Sequence, residues 1–120
     1  MSSDPSNFVV RRPRYRATGR VPVVLTIVRA SELEPAVVPA ELLDVSRHGM
    51  RLKLAVPLAM DEPILIRLKE AEGGLERSFR AHVLWRFEEG QDAWIVGCPL
   101  EGEIDWEALG ELFLHEVLDP

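Results

Sequence analysis

Apolar and polar residues alternate along several short stretches of the chain, the pattern of β-strands that bury one face. The longest example runs from Phe79 to Phe87, where every second residue is apolar. A shorter one begins at Met50, where apolar residues alternate with Arg51 and Lys53. Six stretches are predicted as strands: RVPVVLTIV (20–28), AVVPAELLDV (36–45), MRLKLAV (50–56), PILIRLK (63–69), SFRAHVLWRF (78–87) and AWIVGCP (93–99).

The connections between these stretches are short and favour hairpins. EAEGGLE and EEGQDA carry glycines that can adopt the positive φ of tight turns. After residue 100 the apolar spacing changes to that of a helix, with Asp105 as its predicted N-cap. The predicted fold class is therefore mainly all-β, a six-stranded antiparallel β-barrel followed by a C-terminal α-helix over 105–118.

The length of 120 residues predicts a single domain. Residues 1–10 are predicted to be a flexible lead-in, and the domain to span 11–120. Within it, 11–20 form an arginine-rich arm and 20–100 the barrel. We expect Trp85, Trp94 and Trp106 to pack in the core, because each lies on an apolar face of its predicted element.

Positive charge is concentrated at one end of an acidic chain. The net charge is −6, yet five of the ten residues in the arm, RRPRYRATGR, are arginines. Residues 1–53 carry nine Lys/Arg and five Asp/Glu, whereas 54–120 carry five and fifteen. The acidic second half would repel a polymeric phosphate backbone. The arm therefore indicates a small anionic partner rather than DNA or RNA, unless its arginines are simply solvated or paired with the acidic half.

Other features indicate the compartment. No apolar stretch approaches the roughly 20 residues that span a bilayer, and MSSDPSNFVV lacks the pattern of a secretory signal. Cys98 is the only cysteine, which fits a reducing environment. The sequence predicts a cytoplasmic protein that does not enter a membrane.

The segment DVSRHG (44–49) has a structural and a ligand-binding interpretation. In the first, Asp44 and Ser46 bond to nearby backbone N–H groups and Gly49 adopts a left-handed conformation. In the second, the carboxylate of Asp44 accepts the adjacent N1–H and N2–H₂ donors of guanine, and Ser46 reaches a phosphate or a ring nitrogen. The arm arginines could then hold phosphate or stack on a purine ring.

The usual marks of catalysis and metal binding are missing from the sequence. His48, His82 and His115 do not have metal-ligand spacing with Cys98, and Ser46 and His48 are neighbours on a turn without an orienting third residue. Neither a P-loop nor a G-x-G-x-x-G occurs. We expect a protein that is not an enzyme and has neither a metal nor a cofactor beyond its ligand.

Taken in order, these motifs resemble the PilZ domain, a bacterial receptor for the second messenger cyclic di-GMP. The resemblance rests on R-x-x-x-R at Arg12 and Arg16, D-x-S-x-x-G from Asp44 to Gly49, and the strands VLWRF and WIVGCPL with a closing helix. An overlapping R-x-x-x-R ends at Arg20, which begins a predicted strand instead. Leu100 stands where the family commonly has an aromatic residue.

The resemblance implies a nucleotide lying on the outer surface of the barrel and wrapped by the arm. Carried over by position, the ligand-binding residues are Arg11, Arg12, Arg16, Asp44, Ser46, Gly49 and Gly97. Arg12 and Arg16 would hold phosphate and contact guanine. Arg11 could reach a second nucleotide of a mutually intercalated dimer, and Gly97 would leave room for the ligand.

Three functions are compatible with the sequence. The first is a cyclic di-GMP sensor whose arm changes conformation on binding and signals to a protein partner. The second is a nucleotide-independent interaction module on the same barrel. The third, binding of single-stranded RNA through the arm, is the least compatible with the acidic second half. The sequence leaves oligomeric state, affinity, stoichiometry and the regulated process open.

Overall fold

The computed structural model describes residues 13–30 and 33–120; the predicted lead-in 1–10 and the candidate residues Arg11 and Arg12 lie outside these ranges. The strands are β1 (Tyr15–Arg16), β2 (Val23–Val28), β3 (Val37–Val45), β4 (Gly49–Leu54), β5 (Pro63–Glu70), β6 (Glu76–His82), β7 (Trp85–Gly90) and β8 (Ala93–Pro99). The helix α1 spans Trp106–Leu114.

The strands form one antiparallel sheet in the order β6-β5-β2-β3-β4-β8-β7. The nine-residue β3 is the centre of this arrangement, since β2 pairs with its first half and β1 with its last two residues. The sheet curls until the end of β6 reaches the segment after β8. There Ala81 and Leu100 form an isolated bridge, and the Glu101 N–H donates to the Arg80 carbonyl at 2.8 Å. The predicted antiparallel barrel with a C-terminal helix is confirmed.

The structure has eight strands where six are predicted, because the arm contributes the short β1 and one predicted strand is divided at a crossover. The predicted strand 78–87 is two strands, because the chain stops pairing with β5 and begins to pair with β8. At this crossover the Val83 N–H donates to the Glu62 carbonyl at 3.1 Å and the Leu84 N–H to the Gly97 carbonyl at 2.9 Å. The apolar alternation therefore does not mark one continuous face.

Alternating side chains of the strands fill the barrel interior. Met50, Leu52 and Leu54 of β4 are buried, as their alternation predicts. Further buried apolar residues come from β2, β5 and β8, among them Ile27, Ile66, Leu68 and Val96. Burial of these side chains is the main force holding the curled sheet together.

The helix packs its apolar side against the core of the barrel. The Asp105 carboxylate accepts from the Ala108 N–H at 2.7 Å, which confirms the predicted N-cap. Leu109 and Leu112 are buried. The helix ends at Leu114 rather than 118, and Glu116 turns the chain with a φ of 61°.

The prediction that Trp85 and Trp106 pack in the core is wrong. Trp106 is 66% exposed and Trp85 is 38% exposed. Trp106 begins the helix on its outward side, where the guanidinium of Arg47 lies 4.1 Å from its ring centroid. A cation–π contact of this kind accommodates an aromatic side chain at the surface. Trp94 is half-buried.

Among residues 13–30 and 33–120, no helix has both the length and the apolar character needed to cross a bilayer.

Candidate functional site

A row of cross-strand neighbours runs over the outer face of the sheet, across β1, β3, β4, β8 and β7. Successive pairs in the register connect its five members, Arg16, Asp44, Arg51, Gly97 and Trp85. Directly opposed residues of antiparallel strands project from the same face. We call this set the Asp44 row.

The described part of the arm is fixed beside β3. The Ala17 N–H donates to the Leu43 carbonyl and the Thr18 N–H to the Val117 carbonyl, both at 2.9 Å. The Asp119 N–H in turn donates to the Arg16 carbonyl at 2.9 Å. These bonds hold Arg16 opposite Asp44, so the sequence-predicted arm and turn lie on the same side of the barrel.

Asp44 is a buried carboxylate held by two arginines. Arg14 Nη1 donates to Oδ1 at 2.6 Å, and Arg51 donates to Oδ2 through Nε at 2.7 Å and also through Nη2. The hydrogen bond to Asp44 raises the pKa of Arg51, although partial burial opposes the shift. The Asp44 side chain is only 3% exposed, whereas Arg14 and Arg51 are 48% and 43% exposed. The carboxylate, on the outer face of the sheet, is therefore shielded from solvent, whereas its two cations are accessible.

Ser46 and Gly49 form the turn between β3 and β4. The Ser46 N–H donates to the Gly49 carbonyl at 2.9 Å, and Ser46 Oγ accepts from the His48 N–H at 3.3 Å. The hydroxyl thus bonds within the turn, as the structural interpretation predicts. Gly49 is not in the left-handed region. Its lack of a side chain matters because a Cβ would lie 3.1 Å from the Cys98 carbonyl oxygen.

A cavity of about 220 Å³ opens beside this turn. Its lining includes Arg14, Ser46, His48, Gly49, Leu84, Trp85 and Gly97. Gly97 underlies the indole of Trp85, because a Cβ added at Gly97 would lie 2.2 Å from the Trp85 ring. In this structure the space above Gly97 holds Trp85, where the family resemblance implies room for a ligand.

A buried thiol forms part of the cavity wall. Cys98 is buried and lines the cavity next to Gly97. Burial raises its pKa to about 12, so the thiol stays protonated at neutral pH.

Five of the seven predicted site residues lie within the described ranges, and they lie together. Arg16, Asp44 and Gly97 belong to the Asp44 row, while Ser46 and Gly49 line the adjacent cavity. Arg20 is not a member of the row, and its guanidinium lies 3.2 Å from Asp119. The preference for Arg16 as the second arginine of the motif agrees with this geometry.

Three residues at the site were missed by the sequence analysis. Arg14 was counted in the arm without a role, and Arg51 was placed on the polar face of its strand without one. The alternation of β4 directs the Arg51 side chain outward. Its orientation can therefore be predicted from the sequence, whereas its partner Asp44 cannot. Trp85 was predicted to be buried, and its sequence neighbours gave no indication of Gly97 beneath it.

The neighbouring cation Arg47 belongs to a different contact. It pairs with Glu103 at 2.8 Å and donates through Nε to the Ile104 carbonyl at 3.2 Å, besides covering Trp106. These contacts join the β3–β4 turn to the start of the helix. Arg47 therefore stabilises the β3–β4 turn by linking it to the start of the helix.

Comparison with known protein families agrees with the geometry. The family model described as the PilZ domain matches residues 11–112, most of the chain, including the arm, the turn and most of the helix. No curated protein matches the chain. With its arginine arm beside the Asp44 turn on a curled antiparallel barrel, the chain belongs to the PilZ family, a family of cyclic di-GMP receptor domains.

Proposed function

We propose that this domain binds cyclic di-GMP on the outer face of the sheet, over the Asp44 row and the cavity beside it. The observation that carries the proposal is the placement of three arginines at Asp44: Arg14 and Arg51 contact its carboxylate, and Arg16 is its cross-strand neighbour. Three guanidinium groups and one carboxylate leave a local charge of about +2, which suits a ligand with two phosphates. Ser46 and Gly97 border the cavity in which part of the nucleotide would lie.

The arm supplies further cations in this proposal. Arg12 and Arg16 bind phosphate or stack on guanine, and Arg11 reaches a second nucleotide if the ligand binds as an intercalated dimer. Charge-assisted hydrogen bonds contribute about 1.5–3 kcal/mol each. Two or three of them, reduced by the cost of ordering the arm, give affinity in the micromolar range.

The output is a change in the arm that a protein partner detects. Because the Arg14 side chain bonds to Asp44 and the backbone of Ala17 and Thr18 bonds to β3 and the C-terminal segment, we assign the ligand-dependent change to the part of the arm before Arg14. Ligand binding would select one position of that part. We place the protein in the cytoplasm, where a buried reduced Cys98 is stable, and we assign it a binding rather than a catalytic role.

Isothermal titration tests the proposal. The purified domain is titrated with cyclic di-GMP, cyclic di-AMP and GTP, and cyclic di-GMP is expected to bind clearly more tightly than the other two. Arg12→Ala is expected to weaken binding at least about tenfold. The absence of any heat with cyclic di-GMP would overturn the proposal. A stoichiometry of one nucleotide per chain at saturation would exclude only the binding of an intercalated dimer.

A second candidate is a nucleotide-independent interaction module. The observation in its favour is a set of exposed apolar residues: Leu84 and Trp85, which line the cavity and are 52% and 38% exposed, and Phe87 of β7, which is 58% exposed. Exposed apolar groups of this kind mark protein interaction surfaces. The same titration separates the two candidates, because this one predicts no heat with any nucleotide.

A further inference from the structure

The outward side of α1 exposes two large apolar side chains, Trp106 at 66% and Leu114 at 82%. They stand four residues before and four residues after Gly110, which is itself exposed, so all three share one side of the helix. At a rise of about 1.5 Å per residue, the two apolar residues are about 12 Å apart along the axis. Exposed apolar side chains aligned in this way are typical of a contact surface.

Gly110, between them, is not required by the fold. Glycine destabilises the interior of a helix relative to alanine. The φ of Gly110 is not in the left-handed region, and a Cβ at this position would meet no atom of a neighbouring element within 4 Å. Neither conformation nor packing within the described residues therefore explains the glycine. Its missing side chain does leave room for another helix to approach α1 closely at this point.

A cavity of about 210 Å³ opens beside Trp106. It is lined by Pro13, Tyr15, Arg47 and Trp106. The Tyr15 ring packs edge-on against Phe113, with ring centroids 4.8 Å apart, which fixes one wall of the cavity. Pockets walled by aromatic side chains are typical sites for the anchor residues of protein interfaces. Leu114, at the other end of the same helix side, has the exposure of such an anchor.

We infer that two copies of this chain associate through α1, antiparallel about a two-fold axis at Gly110, with Leu114 of each copy in the cavity beside Trp106 of the other. A two-fold contact needs a surface that is complementary to itself. Rotation about an axis through Gly110 exchanges the positions four residues before and after it. The same rotation therefore brings the exposed leucine of one copy onto the tryptophan and the cavity of the other, twice.

The charges at the two ends of this surface are also complementary. The last turn of α1 holds no basic residue, so the partial negative charge of the helix C-terminus is not offset within the helix. Arg47 lies at the other end, 4.1 Å from the Trp106 ring centroid, with 27% of its side chain exposed. The two-fold axis places Arg47 of one copy near the helix C-terminus of the other. A second copy is therefore a fitting occupant, because one surface supplies both charges.

Sedimentation equilibrium of the wild-type chain without nucleotide tests the inference. A contact made by a nine-residue helix is small, so we expect dissociation constants between about 10 μM and about 1 mM. Over that range, in about 0.15 M salt to screen the charge of both copies, the mass should rise reversibly from 13.5 kDa toward twice that value. A monomer mass throughout would overturn the inference, whether or not the chain binds cyclic di-GMP. Growth beyond two copies would overturn the two-fold arrangement.

Leu114→Ala removes the side chain that enters the cavity. Association is expected to weaken at least about tenfold, while the midpoint of urea denaturation stays unchanged because this side chain is mostly exposed. Met60→Ala is the matched control, since it removes another apolar side chain, 50% exposed, outside α1 and outside the cavity lining. Equal association of the two variants would overturn the inference.

Gly110→Gln is expected to change folding and association in opposite directions. The midpoint of urea denaturation, measured on dilute monomer, should rise because glutamine favours the helix more than glycine does. Dimerisation should weaken at least about tenfold, because the glutamines of both copies would meet at the axis. A variant that dimerises like the wild type would contradict the close approach of the two helices.

A mixture of two variants tests the pairing of Leu114 with Trp106 directly. Dimers of Leu114→Ala alone, or of Trp106→Ala alone, contain no complete contact. A mixed dimer contains one, between the leucine of one variant and the tryptophan of the other. The equimolar mixture should therefore associate at least about fivefold more tightly than either variant by itself. The absence of any gain on mixing would show that these two residues do not meet and would overturn the inference.

Discussion

Two buried carboxylates in this domain are both paired with arginine, but their surroundings differ. Glu62 accepts from Arg29 through Nε at 2.6 Å and Nη2 at 2.9 Å, and from the Ala59 N–H at 2.8 Å. Its partner Arg29 is buried with it, since only 7% of the Arg29 side chain is exposed. At Asp44 the carboxylate is equally buried, whereas both of its cations are close to half exposed.

The comparison shows how similar ion pairs serve different purposes. At Glu62 the cation is enclosed with the carboxylate, so the pair joins the residue after β2 to the residue before β5 and offers nothing to a ligand. At Asp44 the buried anion holds cationic donors at the surface. The exposure of the cation, rather than that of the carboxylate, therefore distinguishes a structural pair from a candidate binding site.

The largest effect is expected from Glu62→Ala. Removing this carboxylate leaves Arg29 charged and buried, which costs about 3–5 kcal/mol of the free energy of unfolding. Urea denaturation measures the loss, and Glu72→Ala, at an exposed hairpin position, serves as a control with a change within about 0.5 kcal/mol. Cyclic di-GMP affinity should not change under conditions in which the variant is folded. A loss below about 1 kcal/mol would contradict the structural role of the pair.

Asp44→Ala is expected to have a smaller effect on stability and a clear effect on binding. Arg14 and Arg51 can be hydrated once the carboxylate is gone, so the free energy of unfolding falls by about 1–3 kcal/mol. Affinity for cyclic di-GMP is expected to fall at least about tenfold. Urea denaturation and titration of the same sample give both values. A stability loss equal to that of Glu62→Ala would erase the contrast between the two sites.

Arg16→Ala should separate binding from stability. Arg16 is exposed, so the free energy of unfolding should change by no more than about 0.5 kcal/mol. Its affinity for cyclic di-GMP is expected to fall at least about tenfold, or about 1.4 kcal/mol. Arg20→Ala is the matched control on the same segment, because the Arg20 guanidinium pairs with Asp119 rather than with a side chain of the row. Equal affinities of the two variants would remove Arg16 from the site.

The smallest effect is expected at an ion pair with two accessible partners. Arg77 donates to Glu111 at 2.8 Å, and this hydrogen bond lowers the pKa of Glu111. A lowered carboxyl pKa stabilises the fold above the unfolded value of about 4.3, and that contribution disappears as the pH falls through the lowered pKa. Arg77→Ala should return the pKa of Glu111 toward its ordinary value, as measured by NMR titration. An unchanged pKa would show that solvent screens the pair completely.

Local chemistry was sufficient to predict much of the fold and part of the site. The alternation in β4 gives the buried positions of Met50 and Leu52, and Asp105 caps the helix as its residue type suggests. The D-x-S-x-x-G turn was located correctly, because its side-chain and backbone bonds involve near neighbours. Each of these features depends on residues a few positions apart.

The features that sequence analysis missed depend on pairings between distant segments. The crossover at Val83 depends on its bonds to the loop at Glu62, which the alternation pattern does not encode. The exposure of Trp106 depends on Arg47, which precedes it by more than fifty residues. Asp44 was identified, but its partner Arg51 could be recognised only once the register of β3 and β4 was known.

The position of Trp85 gives the protein an internal optical reporter. Its indole rests on Gly97 at the wall of the cavity and is partly open to water. A molecule entering the cavity must displace solvent from that ring or shift it, and indole emission responds to both. Intrinsic fluorescence should therefore follow occupancy without a label, and Trp85→Phe would leave Trp94 and Trp106 as the background to subtract.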